Sequence, residues 1–161
     1  MELLQAYVSG IALDREREHP VVLLRSDGEE EVMPIWIGPA EASAIYTVLT
    51  GNSFARPMTH DLLKLIIEEL GAVVSSIEIT GIQKDTYFAR IILKREEEVF
   101  YIDARPSDSI SLALRCGSPV FVDRELFLKY KRDLKIGKSE EEDIKKHFQE
   151  LDPGDFGDID L

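Results

Sequence analysis

A chain of 161 residues, 44% hydrophobic and 31% charged, has the size and composition of one globular domain with a sizeable core. No apolar run approaches the roughly 18 residues of a membrane span, and a single cysteine, Cys116, excludes an internal disulfide. Of the formal net charge of -12, half falls on residues 137–161, with nine acids against three lysines, and residues 1–136 are still acidic by six charges. That balance excludes a broad polyanion-binding face but leaves room for a small site built on a few arginines or a metal ion. The N-terminus, MELLQAYVSGIAL, has no basic region and no small-residue cleavage site, so a cytoplasmic protein is expected.

Residues 3–13 read as a strand, with a bulge expected at Gly10. Asp14 to His19 is a charged loop. Pro20 to Arg25, the turn Ser26-Asp27-Gly28 and the run Glu31 to Ile37 read as a hairpin. Gly38-Pro39 breaks the strand, and Pro39 suits a first helical position, where its missing N–H costs nothing. Ala42, Ile45, Val48 and Leu49 follow the helical period up to Gly51. After a loop containing Arg56-Pro57, Thr59 is expected to cap a second helix. Leu62, Leu63, Ile66, Ile67 and Leu70 form its expected buried stripe. Residues 72–82, 86–95 and 98–103 read as strands. A third helix follows, with Ile110, Ala113 and Leu114 at helical spacing and Gly117 at its end. A short strand over 120–122, a helix near 123–133 and a polar helix over 138–150 complete the reading. Residues 152–161 are acidic and glycine-containing, expected to be poorly ordered or taken up by a partner.

An offset of 67 places Glu29-Glu-Glu-Val32 on Glu96-Glu-Glu-Val99, Ile35 on Ile102, Pro39 on Pro106, Glu41 on Asp108 and Ile45 on Leu112. The expected fold class is therefore α+β: a duplicated β-β-β-α unit whose mixed or antiparallel sheet packs with helices. The expected domain covers residues 1–136, with an acidic tail over 137–161.

Three turns gather polar residues, and each opens a helix: Gly38 to Glu41, Arg56 to Asp61, and Asp103 to Asp108. Helix N-termini attract anions such as phosphate. Arg56 and Arg105 are candidate phosphate contacts, with Thr59 and Ser107 as further substrate-binding hydroxyls. Asp103, Asp108, Glu41 and Asp61 are candidate ligands for Mg²⁺ or Mn²⁺. His60 is a candidate general acid or base. Every position has a structural alternative. First-turn acids stabilise the helix dipole, Thr59 and Ser107 can cap, and the arginines can pair with nearby acids. Asp103, read as an acid ending a buried strand, needs a partner such as Arg56 or Arg105. Asp103 and Arg105 stand out because their counterparts under the offset, Trp36 and Gly38, do not repeat them. Trp36 and Cys116 read as core, and no metal-ligand spacing links the three histidines.

The segments PIWIGPAEASAI, RPMTHDLL and IDARPSDSISLALR, in that order, resemble the bifunctional nuclease family over roughly the first 130 residues. The resemblance implies a small α+β domain and nuclease activity, reported on both DNA and RNA for some members. It supplies no catalytic residues, so the candidates above rest on their chemistry alone: His60, Asp103 and Arg105 as catalytic groups, the others as ligands and contacts. The expectation is a metal-assisted nuclease acting on RNA or DNA. The alternative is a non-catalytic module that binds a phosphate-bearing ligand or a protein. A sheet edge left open makes a homodimer or higher oligomer an expectation as well.

Overall fold

The first three apolar runs fold as an antiparallel meander of β1 (Leu3–Asp14), β2 (His19–Ser26) and β3 (Met33–Trp36). The β1–β2 register slips between Val8 and Gly10, and the Ser9 hydroxyl at that bulge donates to the Leu23 carbonyl at 3.2 Å. Two helices follow, α1 (Pro39–Leu49) and α2 (Thr59–Glu69). A second antiparallel meander comprises β4 (Val73–Gln83), β5 (Thr86–Arg95) and β6 (Glu98–Ala104), and leads into α3 (Pro106–Cys116). Strand β7 (Val120–Asp123) and helix α4 (Arg124–Tyr130) follow. This computed structural model describes residues 1–14 and 16–134, together with Ile144 and Lys146.

The seven strands form one sheet in the order β3-β2-β1-β7-β4-β5-β6. Strand β7 joins the two meanders, running antiparallel to β1 and parallel to β4. With helices α1 to α4 named among the described residues, this is the α+β mixed sheet expected from sequence. Helices α1 and α3 are both eleven residues long and start 67 positions apart, each after a three-stranded meander. Among the described residues, no helix is long and apolar enough to cross a membrane.

The main core takes Val22, Leu24 and Ile35 from the first meander, Ile77 and Ile79 from the second, and Val122 from β7. Ile45, Ile110, Leu112 and Phe127 fill it from the helices. Each fully buried aliphatic side chain contributes about 1.5–3 kcal/mol. Strand β2 is covered on both faces: Val21 and Leu23 form a second small cluster with Val32, and Trp36 packs against it. The Trp36 Nε1–H donates to Asp14 at 2.8 Å, and the Arg17 guanidinium lies 4.5 Å from the ring centroid. Helix α3 is central, packed against α1, α2, β4 and β5.

Three local expectations need correction. Met58, not Thr59, is the N-cap of α2; Thr59 is its first helical residue, and the Asp61 carboxylate accepts the Met58 N–H at 2.9 Å. Of the stripe expected to be buried on α2, only Ile67 is, whereas Leu62 (51%) and Leu70 (66%) are largely exposed, and Leu63 and Ile66 are exposed too. The helix rests mainly on α3 and β4, so only a narrow strip is covered. The helix expected near 123–133 is shorter, opened by Asp123, whose carboxylate accepts the Leu126 N–H at 3.0 Å. Within the expected polar helix over 138–150, Ile144 and Lys146 are helical and Ile144 is buried in the main core. The rest of that segment and the acidic residues 152–161 lie outside the described residues.

Candidate functional site

The three helix-opening turns converge because α3 lies between α1 and α2. Pro39 and Pro106 occupy the first turns of α1 and α3, so the backbone leaves each strand already set for a helix. Glu41 and Asp108 then fall in the first turns, facing the positive ends of their helices. Arg105, the N-cap of α3, bridges the two. Its Nε donates to Asp108 Oδ2 at 2.7 Å and its second terminal nitrogen to Asp108 Oδ1 at 3.3 Å. The other terminal nitrogen donates to Glu41 Oε1 at 2.9 Å. From α2, His60 Nε2 lies 3.1 Å from Asp108 Oδ1. The continuous chain Glu41–Arg105–Asp108–His60 thus joins all three helix starts.

Exposure grades along this chain. The Arg105 side chain is 66% exposed, Asp108 and Glu41 are partly covered, and His60 is 13% exposed. Partial burial pushes the Asp108 carboxyl upward, but the hydrogen bonds from Arg105 and His60 outweigh it and hold the group below the ordinary carboxyl value. Asp108 therefore stays anionic and fixes the His60 ring. With Nε2–H donating to that carboxylate, Nδ1 is the acceptor of the neutral ring. Of the five N–H groups of a guanidinium, three are engaged on Arg105 among the described residues, which leaves two for an anion. The first turn of α3 has no side-chain cap, so its leading N–H groups point the same way in charge.

A second network runs beneath the first and was not read from sequence. Arg115, near the C-terminus of α3, has a side chain only 6% exposed. Its Nε donates to Asp61 Oδ1 at 2.5 Å. One terminal nitrogen donates to the Ser111 hydroxyl at 2.6 Å and to the carbonyls of Ser111 and Ala44 at 3.1 and 3.2 Å. Arg115 thereby ties α3 to α1 and to the first turn of α2, which carries His60. Burial pushes the Asp61 carboxyl up, and the bonds from Arg115 and the Met58 N–H bring it below its ordinary value. The available signal was Ser111, one helical turn before Arg115 on the same face.

The remaining candidates sit apart from the chain of contacts. Strand β6 is a sheet edge, and Asp103 is exposed near its end, opposite Arg90 in the β5 register. Arg90 itself pairs with Glu78 at 2.6 Å. The premise that Asp103 ends a buried strand therefore does not hold. Asp103, Arg56 and Thr59 are exposed and make no side-chain hydrogen bond or ion pair among the described residues. Ser107 is buried. Of the four carboxylates considered as metal ligands, Glu41 and Asp108 face Arg105, Asp61 faces Arg115, and Asp103 stands on β6. Among the described residues no three His, Cys, Asp or Glu side chains are grouped as a metal site. The arginine-paired carboxylates do not make a ready oxygen cage.

Two cavities flank the chain of contacts. One, of about 450 Å³, lies between the loop after α1 and helix α2, with Asp61, Lys64 and Arg115 in its wall. The other, of about 290 Å³, lies between the β3–α1 and β6–α3 elbows and the β4–β5 turn, with Glu41, Arg105 and Ser107 in its wall.

The family model described as bifunctional nuclease domain matches residues 21–135. An uncharacterised protein of Mycobacterium tuberculosis is 40% identical over 116 residues, covering 72% of this chain and 69% of its own. A rice protein named bifunctional nuclease 1 is 30% identical over 126 residues, covering 76% of this chain but 38% of its own. An Arabidopsis thaliana protein of the same name is 29% identical over 112 residues, covering 67% and 34%. The chain thus spans little more than a third of the length of these plant relatives. The chain belongs to the bifunctional nuclease domain family.

Proposed function

We propose that this chain is a nuclease that hydrolyses phosphodiester bonds of RNA or DNA. The observation that carries the proposal is the Glu41–Arg105–Asp108–His60 chain, which places a base and a cation at three converging helix starts in a member of this family. His60, oriented by Asp108, takes the proton of the attacking water at Nδ1 as the water oxygen bonds to phosphorus, the P–O bond to the leaving nucleotide breaks, and solvent water protonates the departing oxygen. The two free N–H groups of Arg105 offset the charge that develops on the phosphorus oxygens. Arg56, exposed in the loop before α2, adds a second cation for the flanking phosphates. General-base catalysis of this kind supplies about 10²–10⁴ in rate. Residues 1–136 form the catalytic domain in this reading, and a bound Mg²⁺ or Mn²⁺ would add charge stabilisation at the phosphate.

The test uses the purified full chain with labelled single-stranded RNA and DNA, with Mg²⁺, with Mn²⁺ and with EDTA. His60→Ala should lower kcat/KM by about 100-fold. Cleavage at the wild-type rate by a folded His60→Ala protein would remove the proposed mechanism. The exposed leucines of α2 favour a second reading, a protein-binding module without catalysis. That reading predicts that cleavage does not follow the protein through successive purification steps.

A further inference from the structure

Helix α3 buries three serines, Ser107, Ser109 and Ser111. Buried hydroxyls are normally hydrogen-bonded. Ser109 donates to the Arg105 carbonyl at 3.0 Å, and Ser111 accepts from Arg115 at 2.6 Å. The fourth buried serine among the described residues, Ser26, donates to the Gln5 carbonyl at 2.9 Å. Ser107 is only 7% exposed, yet its hydroxyl has no hydrogen-bond partner among the described residues. It lines the cavity of about 290 Å³ between the two elbows. Ser107 is thus a largely buried residue whose hydroxyl stays accessible in the cavity wall without a protein partner, at the start of an eleven-residue helix that has no side-chain cap, and this marks a place prepared for a ligand.

The wall chemistry selects the class of ligand. Thr86 and Tyr87 add two more hydroxyls, and Glu41 and Asp85 add carboxylates that accept hydrogen bonds. Two carboxylates disfavour a bare phosphate inside the cavity and favour a neutral group rich in donors, such as the sugar and base of a nucleoside. The one cation of this wall, Arg105, is two-thirds exposed and keeps two N–H groups free. The volume is near the lower end for small-molecule sites and takes one nucleotide unit, not a stacked base pair.

We propose that this cavity is a subsite for one unpaired nucleotide, its nucleoside held inside against Ser107 and its phosphate at the mouth on Arg105. The proposal rests on the nuclease reading for its biological sense, and it gives that reading a preference for unpaired strands. A duplex would first have to extrude a nucleotide.

The experiment titrates the full chain with adenosine 5′-monophosphate and with inorganic phosphate, and compares a single-stranded oligonucleotide with its duplex in competition. Adenosine 5′-monophosphate should bind at least about 10-fold more tightly than phosphate, and the single strand should compete better than the duplex. Ser107→Ala should weaken the nucleotide by about 2- to 10-fold, the worth of one hydrogen bond, and leave phosphate unchanged. Thr86→Trp, at an exposed position, should fill the mouth and abolish nucleotide binding without touching the core. Equal binding of nucleotide and phosphate, or wild-type nucleotide affinity in both variants, overturns the subsite. Cleavage without nucleotide binding overturns the subsite and keeps the nuclease. Nucleotide binding without cleavage keeps the subsite and overturns the nuclease.

Discussion

The two ends of α3 carry one arginine each, and both arginines bind an acid at the start of a neighbouring helix. Arg105 reaches Glu41 and Asp108 with its side chain 66% exposed, whereas Arg115 reaches Asp61 with its side chain 6% exposed. Chemistry is shared and solvent access is not. The buried arginine spends its donors on carbonyls, a hydroxyl and a carboxylate of three helices, so its work is positional. The exposed arginine keeps donors in reserve at the surface, where a substrate can use them. Arginine identity alone says little; the number of donors left over, and where they face, separates framework from site.

The sharpest way to break this comparison is to exchange the expected consequences. Arg115→Met removes a buried cation and leaves the Ser111 hydroxyl and the Ala44 and Ser111 carbonyls without their donor, while the part-exposed Asp61 turns to solvent, and should cost about 1–3 kcal/mol in urea unfolding. A loss under about 1 kcal/mol would place Arg115 among dispensable surface groups. Arg105→Ala should do the reverse. Its stability change should stay within about 1 kcal/mol, while kcat/KM for oligonucleotide cleavage should fall by about 100-fold. Equal effects of the two substitutions on stability would erase the distinction.

A smaller effect sharpens the role of Glu41. A Cβ on Gly38 would meet the Glu41 carboxylate, so Gly38→Ala should push that carboxylate off Arg105. The cost should be about 1 kcal/mol, and it should largely vanish in a Glu41→Ala background, as a double-mutant cycle would read. Additive costs would mean that Gly38 matters for its backbone alone.

The smallest effects are in pH. Asp61 and Asp108 both titrate below their ordinary value of 3.8 in the folded chain. The unfolded chain takes up these protons first as pH falls. Their contribution is therefore complete above the ordinary value and is lost as pH falls through the depressed folded values. Asp61→Asn should flatten this acid limb of stability. Tyr87 behaves in the opposite sense. Burial, then the Tyr130 ring beside it, pushes its phenol up to about 12. Its contribution is present below 10 and is lost as pH rises from 10 toward 12, so Tyr87→Phe should remove an alkaline limb.

Local features of the chain were legible in the sequence. Pro39, Pro106 and Gly117 mark helix boundaries through backbone chemistry that needs no tertiary partner, and α1 and α3 lie where those signals put them. The candidate residues Glu41, His60, Arg105 and Asp108 could be named, but whether they meet depends on α3 lying between α1 and α2, which no local pattern encodes. Periodicity on α2 showed an apolar stripe without showing that only Ile67 has something to pack against. The burial expected at Asp103 fails for the same reason: an apolar run ending in an acid looks alike at a sheet centre and at an edge. Gly38 read as a strand break, and its second task, making room for the Glu41 carboxylate, is visible only in three dimensions.

Strand β7 has a consequence for how the chain comes together. Its four residues are flanked by β1, paired as Leu3↔Asp123, and by β4, paired as Ile77↔Val120. Until Val120 leaves the ribosome, each meander has, besides its outer edge strand, a further unsatisfied border, β1 on one and β4 on the other. Nascent chains stopped short of that point carry two such borders and are exposed to intermolecular pairing. The last short strand therefore acts as the seam of the molecule, and the closure of so distant a contact sets an entropic hurdle late in folding.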